Sequence, residues 1–333
     1  MCTSFAFTSQ YDANYLARTM DFSFSLNSFP KAIPRNYEWT SNNGRDFKLN
    51  YGFVGTAMTV NGVVFGDGIN KKGLSIAVLY YQGEASYATS TSNDNINLEP
   101  EEFIMWFLGM NESIRDFKEQ ADNVRLLKQV NPALDSVPPL HFMITDQSGQ
   151  SIVVIPSDGQ LIIKENPIRV LTNNPNLEWH YQNVRQYTHF NIEAPSPSLL
   201  GIESVKPFGV ESGTEVLPGG YTSPSRFVKM AYFRQFIEDA EDENKRLNNL
   251  FKLLDTVSIP RGVVLDEGTI YYTQYQAIVD THHLTYYFKD YNGSDVYQIK
   301  LTDEILNASD AITYTVKPKL NLIDLTEESS DHQ

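Results

Sequence analysis

One cysteine occurs in this chain of 333 residues, and it stands at position 2, directly behind the initiator methionine. A buried thiol fills a core anywhere, and a reactive one can sit on any loop. Only chemistry that uses the chain's own α-amine depends on the terminus itself. An α-amine is a usable base near neutral pH. Removal of Met1, which is readily trimmed before a small residue such as Cys, would leave a nucleophile and a general base on one residue. An ordinary cysteine packed in the first strand is the alternative, and position alone does not separate the two.

Two charged residues stand close by in the stretch "LARTMDFSFS" (16–25), which would pair back beside the first strand. A cation such as Arg18 near the sulfur favours a thiolate, and an aspartate such as Asp21 would orient the amine. Surface Arg and turn Asp are the plainer roles for both. Other catalytic patterns are missing. There is no G-x-G-x-x-G, Walker loop, H-E-x-x-H or G-x-S-x-G. His282 and His283 are neighbours on a strand-like stretch and would point to opposite faces, so they cannot share a metal. The carboxylate cluster "DAEDEN" (239–244) lacks the alternating ligands of a calcium loop and reads as a solvated helix junction.

Composition narrows the function classes. A net charge of −15 opposes a nucleic-acid surface and an anionic membrane. A single cysteine excludes an internal disulfide and a Cys-cluster metal site. The start shows no basic and apolar leader, and no stretch reaches membrane-spanning length, so a cytoplasmic location is expected. The 19 Tyr, 19 Phe and 3 Trp point to β-rich packing and an apolar pocket.

The elements that must position Cys2 follow from periodicity. Cys2–Thr8 and Tyr15–Met20 predict a hairpin. "GVVFGDGINKKGLSIAVLYYQG" (62–83) predicts another, Val63–Phe65 against Leu74–Tyr81. A helix is expected after Pro100, with Glu99, Glu101 and Glu102 at its positive end. A second runs from Ser113 through Phe117, Ala121, Val124 and Leu127. Residues 140–172 and 269–301 predict strands. Between them lie a helix opened by Ser223 as N-cap with Pro224 first, and its partner "ENKRLNNLFKLLDTV". Paired helices alternating with runs of strands disfavour a doubly wound parallel sheet. One α+β domain of antiparallel sheets, residues 1–325, is expected, with a polar acidic tail over 326–333.

Taken together, "MCTSF…LARTMDFSFS", "DGINKKGLSIAVLYY", "VLTNNPNLEWH" and "LPGGYTSPSRFVKMA" resemble the choloylglycine hydrolase family. That family comprises bile salt hydrolases and penicillin V acylases, N-terminal-nucleophile amidohydrolases built as a four-layer αββα sandwich. The resemblance spans nearly the whole chain in order. It implies Cys2 as nucleophile with its freed amine as base, Asp21 bonded to that amine or thiol, and Arg18 stabilising the sulfur's negative charge. It further implies Asn173 as side-chain oxyanion donor, the Tyr80 backbone N–H as second donor, and Arg226 completing the cationic wall. Neither metal nor cofactor is implied; the partners would be a small amide substrate and three further copies in a homotetramer. Gly220 departs from the pattern, standing where many members carry Asp.

Tyr80 falls where penicillin V acylases commonly carry Tyr and bile salt hydrolases Asn, which tilts the expected substrate towards phenoxyacetyl amides. Conjugated bile acids and N-acyl homoserine lactones are the alternatives. From a different class, the same scaffold could serve as an inactive binding protein. Rapid alkylation of Cys2 separates that reading from the enzymatic ones.

Overall fold

The computed structural model describes residues 1–60 and 62–326. Its first element is the expected hairpin. β1 (Cys2–Thr8) and β2 (Asn14–Phe22) pair antiparallel, placing Cys2 opposite Met20 and Ser4 opposite Arg18. Both strands are buried on both faces, which explains their near-continuous run of small and apolar residues.

Five strands of the larger sheet follow: β3 (Phe29–Ile33), β4 (Phe53–Thr59), β5 (Val63–Phe65), β6 (Asp67–Asn70) and β7 (Ser75–Tyr80). Here the expected hairpin is corrected. Val63–Phe65 pairs with β4, and the partner of β7 is the stretch Asp67–Asn70. Asp67–Asn70 is a strand, not a turn. A Cβ on Gly68 would stand 2.7 Å from the Val54 carbonyl oxygen, and one on Gly55 would stand 2.0 Å from that of Asp67. Bare glycine at both positions lets the two backbones approach and fixes where Asp67 lies.

α1 (Phe103–Met110) and α2 (Ile114–Gln120) come next. Ser113 caps α2, its Oγ accepting from Asp116 N at 3.1 Å. The helix stops at Gln120, short of the expected Val124 and Leu127. Asp122 and Asn123 favour turns, and Val124–Leu126 leaves as a short parallel strand beside Ile96–Leu98. A meander follows, β8 (Leu140–Thr145), β9 (Ser151–Ser157) and β10 (Gln160–Glu165), then β11 (Val170–Leu171).

α3 (Leu177–Asn183) has no counterpart among the expected elements, because seven residues are too few to show a period. α4 (Ser223–Phe236) and α5 (Glu243–Asp255) form the second helix pair. The cap of α4 is Thr222, not Ser223. Thr222 Oγ1 accepts from Ser225 N at 3.3 Å, which frees the Ser223 hydroxyl for the loop at Asn173. The chain closes with β12 (Val264–Asp266), β13 (Thr269–Asp280), β14 (Thr285–Asp290), β15 (Tyr297–Lys300) and β16 (Ile312–Thr313). From residue 327 on, the expected polar tail lies outside the described residues.

A seven-stranded sheet has the order β11-β1-β2-β13-β14-β15, with β12 on β13. A nine-stranded sheet has the order β10-β9-β8-β7-β6-β4-β3-β16, with β5 on β4. Alternation along the second sheet shows its two faces. Ala77, Leu79, Met143 and Val153 join a core with β1, β2 and β13, while Ile76, Phe142, Ile144 and Val154 join a separate core with α1 and α2. Phe227, Met230, Leu250 and Leu254 of α4 and α5 cover the outer face of the first sheet. The architecture is therefore α+β, a four-layer αββα sandwich with the chain's first residues in its middle. Among the described residues no helix is long and apolar enough to cross a membrane.

Candidate active site

Cys2 opens β1, which pairs along β2 on one side and, at Ser4 and Phe5, with the two-residue edge strand β11 on the other, and its thiol is buried. Arg18 stands two residues before Cys2's partner Met20, so the pleat turns both side chains to the same face. Its Nη2 lies 3.1 Å from Cys2 Sγ. Nη1 donates to the Gly66 carbonyl at 2.7 Å and meets Asp67 Oδ2 at 3.4 Å. Burial opposes the guanidinium's charge, but Tyr275, Cys2, Asp67 and Asp21 outweigh it and hold Arg18 above its ordinary range.

Asp67 is the component that sequence reasoning missed. Its carboxylate accepts from Tyr275 Oη at 2.7 Å, Tyr286 Oη at 2.5 Å and Thr56 N at 3.3 Å. Burial first, and then the Asp67 charge, raises Tyr286 well above its usual value, so it stays a protonated donor. The missed signal was the "DG" after Phe65, which reads equally well as a turn.

The other face of the site is organised around Asn173. Its Oδ1 accepts from Cys2 N at 2.9 Å and from Arg226 Nη2 at 2.7 Å, and its Nδ2 donates to the Tyr80 carbonyl at 2.8 Å. An amide NH₂ carries two hydrogens, so one remains for a ligand. Ser223 Oγ accepts the Asn173 backbone N–H at 3.0 Å, and His180 Nε2 lies 3.1 Å from its carbonyl. His141, driven down to about 3 by burial and hence neutral, joins Thr172 O at 2.9 Å. Arg226 does not touch the sulfur. It binds Thr3 Oγ1 at 2.6 Å and the Cys2 carbonyl, and so clamps β1 from behind.

Tyr80 ends β7. The next residue, Tyr81, donates its N–H to Pro139 O across the β8 edge, so the N–H and C=O of Tyr80 point to the opposite edge. That edge is where Asn173 Nδ2 meets its carbonyl. The Tyr80 N–H thus lies on the strand edge that faces Asn173, and Asn173 is in turn bonded to Cys2 N. The Tyr80 ring packs edge-on to Phe22, centroids 5.4 Å apart, and its phenol is raised to about 12 by burial, with Cys2 and Glu101 adding to the shift. Cys2, Phe22, Met58, Tyr80, Leu134 and Phe142 are among the residues lining a partly open cavity, almost wholly apolar.

Asp21 is fully buried, with Oδ1 on Thr273 Oγ1 at 2.6 Å and Oδ2 on Thr19 Oγ1 at 3.3 Å. It meets the chain start through its backbone. Its N–H donates to Met1 O at 3.1 Å, and its carbonyl accepts from the Met1 amine at 2.9 Å. Burial lowers that amine below its ordinary value. With Met1 attached, Cys2 N is an amide nitrogen and no base. Loss of Met1 would free an amine at this position, already facing Asn173 Oδ1.

Glu243, Asp280 and His283 bring possible ligand atoms within 4.8 Å of one another at the Tyr15 end of β2, away from Cys2. Each already has a partner: His283 Nδ1 meets Asp280 Oδ2 at 2.8 Å, and Glu243 Oε1 accepts from Tyr287 Oη at 2.8 Å.

Residues 2–314 match the family of linear amide C–N hydrolases known as the choloylglycine hydrolase family. A bile salt hydrolase/transferase of Lactiplantibacillus plantarum is 30% identical over 95% of this chain and 97% of its own. A mutant conjugated bile acid hydrolase from Clostridium perfringens superposes with a TM-score of 0.89 at 27% identity, covering 98% of this chain and 100% of that one. Penicillin V acylase from Agrobacterium tumefaciens shares the fold, with a TM-score of 0.74 at 22% identity over 92% of this chain and 88% of that one.

The Arg18–Cys2 contact makes a prediction independent of any substrate. Arg18→Met should slow alkylation of Cys2 by iodoacetamide near neutral pH about tenfold or more, because a neighbouring cation favours the reactive thiolate. Arg18→Lys should recover part of the rate. Labelling followed by mass spectrometry reads both, and equal rates in all three proteins would make the contact incidental.

Proposed function

Because this chain belongs to the choloylglycine hydrolase family of linear amide C–N hydrolases, we propose that it cleaves the amides of flat, apolar acyl groups, with phenoxyacetyl amides of the penicillin V type preferred. The observation that carries this reading is Tyr80. Its backbone belongs to the oxyanion site while its ring, edge-on to Phe22, forms a wall of the apolar cavity that Cys2 borders. An aromatic wall beside the nucleophile suits an aryl acyl group.

In the proposed cycle the freed Cys2 amine takes the thiol proton and the sulfur attacks the amide carbonyl. The oxyanion forms against the Tyr80 N–H and the Asn173 amide, with Arg18 beside the sulfur. The amine leaves with the proton, and water then opens the thioester. Asp21 seats the chain start, and Arg226 fixes Asn173 and the Cys2 carbonyl.

Conjugated bile acids are the second reading, favoured by the name of the Lactiplantibacillus plantarum relative. We also place the protein in the cytoplasm, consistent with its single free thiol. A homotetramer belongs to the same proposal. The hairpin Ser198–Leu200 with Glu203–Val205 is exposed throughout and carries Leu199, Leu200, Ile202 and Val205, with Phe208 beyond it. Such apolar surface on a projecting ribbon fits burial against another copy.

Three outcomes follow. Penicillin V should exceed glycocholate in kcat/KM by at least roughly tenfold, about 1.4 kcal/mol of transition-state binding, and Tyr80→Asn should narrow that ratio without abolishing hydrolysis. Faster cleavage of glycocholate would hand the assignment to the second reading. Protein retaining Met1, resolved by intact mass, should turn over roughly 10²–10⁴ more slowly than protein beginning at Cys2; equal rates would refute the amine as base. Light scattering should give four chains, falling to a smaller assembly in Leu199→Glu/Ile202→Glu, whereas a wild-type monomer would end the tetramer proposal.

A further inference from the structure

Arg18 is aimed at the sulfur by backbone carbonyls. Nη1 donates to Gly66 O at 2.7 Å, while Nε and Nη2 donate to Thr19 O at 3.3 and 3.2 Å. Two groups able to carry negative charge then face the guanidinium from different corners. Cys2 Sγ lies 3.1 Å from Nη2, and Asp67 Oδ2 lies 3.4 Å from Nη1. The aim of Arg18 is therefore fixed before Asp67 is counted. Yet a carboxylate is buried there, with 3% of its side chain exposed. A buried charge is costly unless it is paired and hydrogen-bonded, so its effect on Arg18 is electrostatic more than geometric.

That carboxylate does not turn to Arg18 alone. Tyr275 Oη donates at 2.7 Å to Oδ2, the oxygen that faces Arg18. Tyr286 Oη and Thr56 N donate to Oδ1 at 2.5 and 3.3 Å. Burial first, against the pull of Arg18 and with Asp67 adding, holds Tyr275 well above its ordinary value, so it remains a donor. Donors at both oxygens satisfy part of the carboxylate's charge, and the closer contact of the guanidinium goes to the sulfur. A thiolate gains from a neighbouring cation, but one stabilised too far loses nucleophilic power along with basicity. One cation shared between two anions lies between those limits.

We propose that Asp67 is a positioning residue for the nucleophile: it shares the charge of Arg18 with the Cys2 sulfur, and Tyr275 sets the share by occupying the oxygen that faces Arg18. This deepens the amide-hydrolase reading above and rests on Cys2 as its nucleophile. The other ionisable groups around Cys2 are the amine at the chain start, Asp21, Arg226 and the Tyr80 phenol, and all are retained in the variants below.

The test follows alkylation of Cys2 by iodoacetamide against pH, with each N-terminus confirmed by intact mass and each fold by circular dichroism. Because the chain has one cysteine, ultraviolet absorbance of its thiolate gives the same profile without the reagent. Asp67→Asn keeps the shape and leaves Arg18 to the sulfur. Its profile should move at least roughly half a unit to lower pH. Its limiting rate at high pH should fall about twofold, since a less basic thiolate is the weaker nucleophile. Tyr275→Phe keeps the ring beside Arg18, 5.5 Å from its centroid, but frees Oδ2 to draw on the guanidinium. Its profile should move to higher pH. Opposite shifts are what a merely structural role does not produce. An unmoved or raised profile in Asp67→Asn, or an unmoved or lowered one in Tyr275→Phe, would overturn the inference. Where Asp67→Asn fails to fold, Tyr275→Phe decides alone by the same criterion. The readout needs no amide, so a failure here is distinct from a failure to cleave any of the substrates named above.

Discussion

A buried ion pair joins the two sheets. Arg18, Tyr275 and Tyr286 come from the seven-stranded sheet, while Asp67, Gly66 and Thr56 come from or beside the nine-stranded one. Arg18 and Asp67 are both almost wholly hidden from water. Neither charge is tolerable there alone, and removing one partner of such a pair typically costs about 3–5 kcal/mol. The guanidinium is led through this pair to the sulfur of Cys2, so the electrostatics of the thiol and the spacing of the sheets are set by the same contacts. Gly55 and Gly68, by letting β4 and β6 approach, determine where the carboxylate can stand.

Asn173 does for hydrogen bonds what Arg18 does for charge. Five groups converge on it: the Cys2 N–H, the Arg226 guanidinium, the Tyr80 carbonyl, the Ser223 hydroxyl and the His180 ring. They come from β1, α4, β7 and α3, and so from elements far apart in the chain. A side-chain amide that must donate towards a developing oxyanion is useful only when its own rotation is stopped, and here both ends of the amide are engaged. Three of the five hold Asn173 in place: Arg226 at its side-chain oxygen, Ser223 at its backbone N–H and His180 at its carbonyl.

What the sequence showed and what it hid divide along a physical line. Cys2, Arg18 and Asp21 lie on one hairpin, and strand alternation alone puts Cys2 and Arg18 on one face. Asn173, Tyr80 and Arg226 were legible only through their motifs, since no local period connects residues a hundred positions apart. Asp67 was not legible at all. Its role comes from a partner in another sheet, and "DGIN" has the composition of a turn until the close approach of β4 is known. Val124 and Leu127 continued a helical period that the turn at Asp122 and Asn123 broke. Ser223 looked like a cap because Pro224 follows it, whereas Thr222 one position earlier does the capping and leaves Ser223 to Asn173.

Chain ends usually fray, but this one is paired within a sheet, with the short edge strand β11 on one side and β2 on the other. Strand β13, which pairs along the far side of β2, begins only at Thr269. On the other flank of this hairpin, β11 begins at Val170, so the surroundings of Cys2 are assembled from segments far along the chain. The Met1 amine, bonded to the Asp21 carbonyl at 2.9 Å, lies half-buried at the mouth of that assembly, where Tyr80 and Asn173 line the same recess.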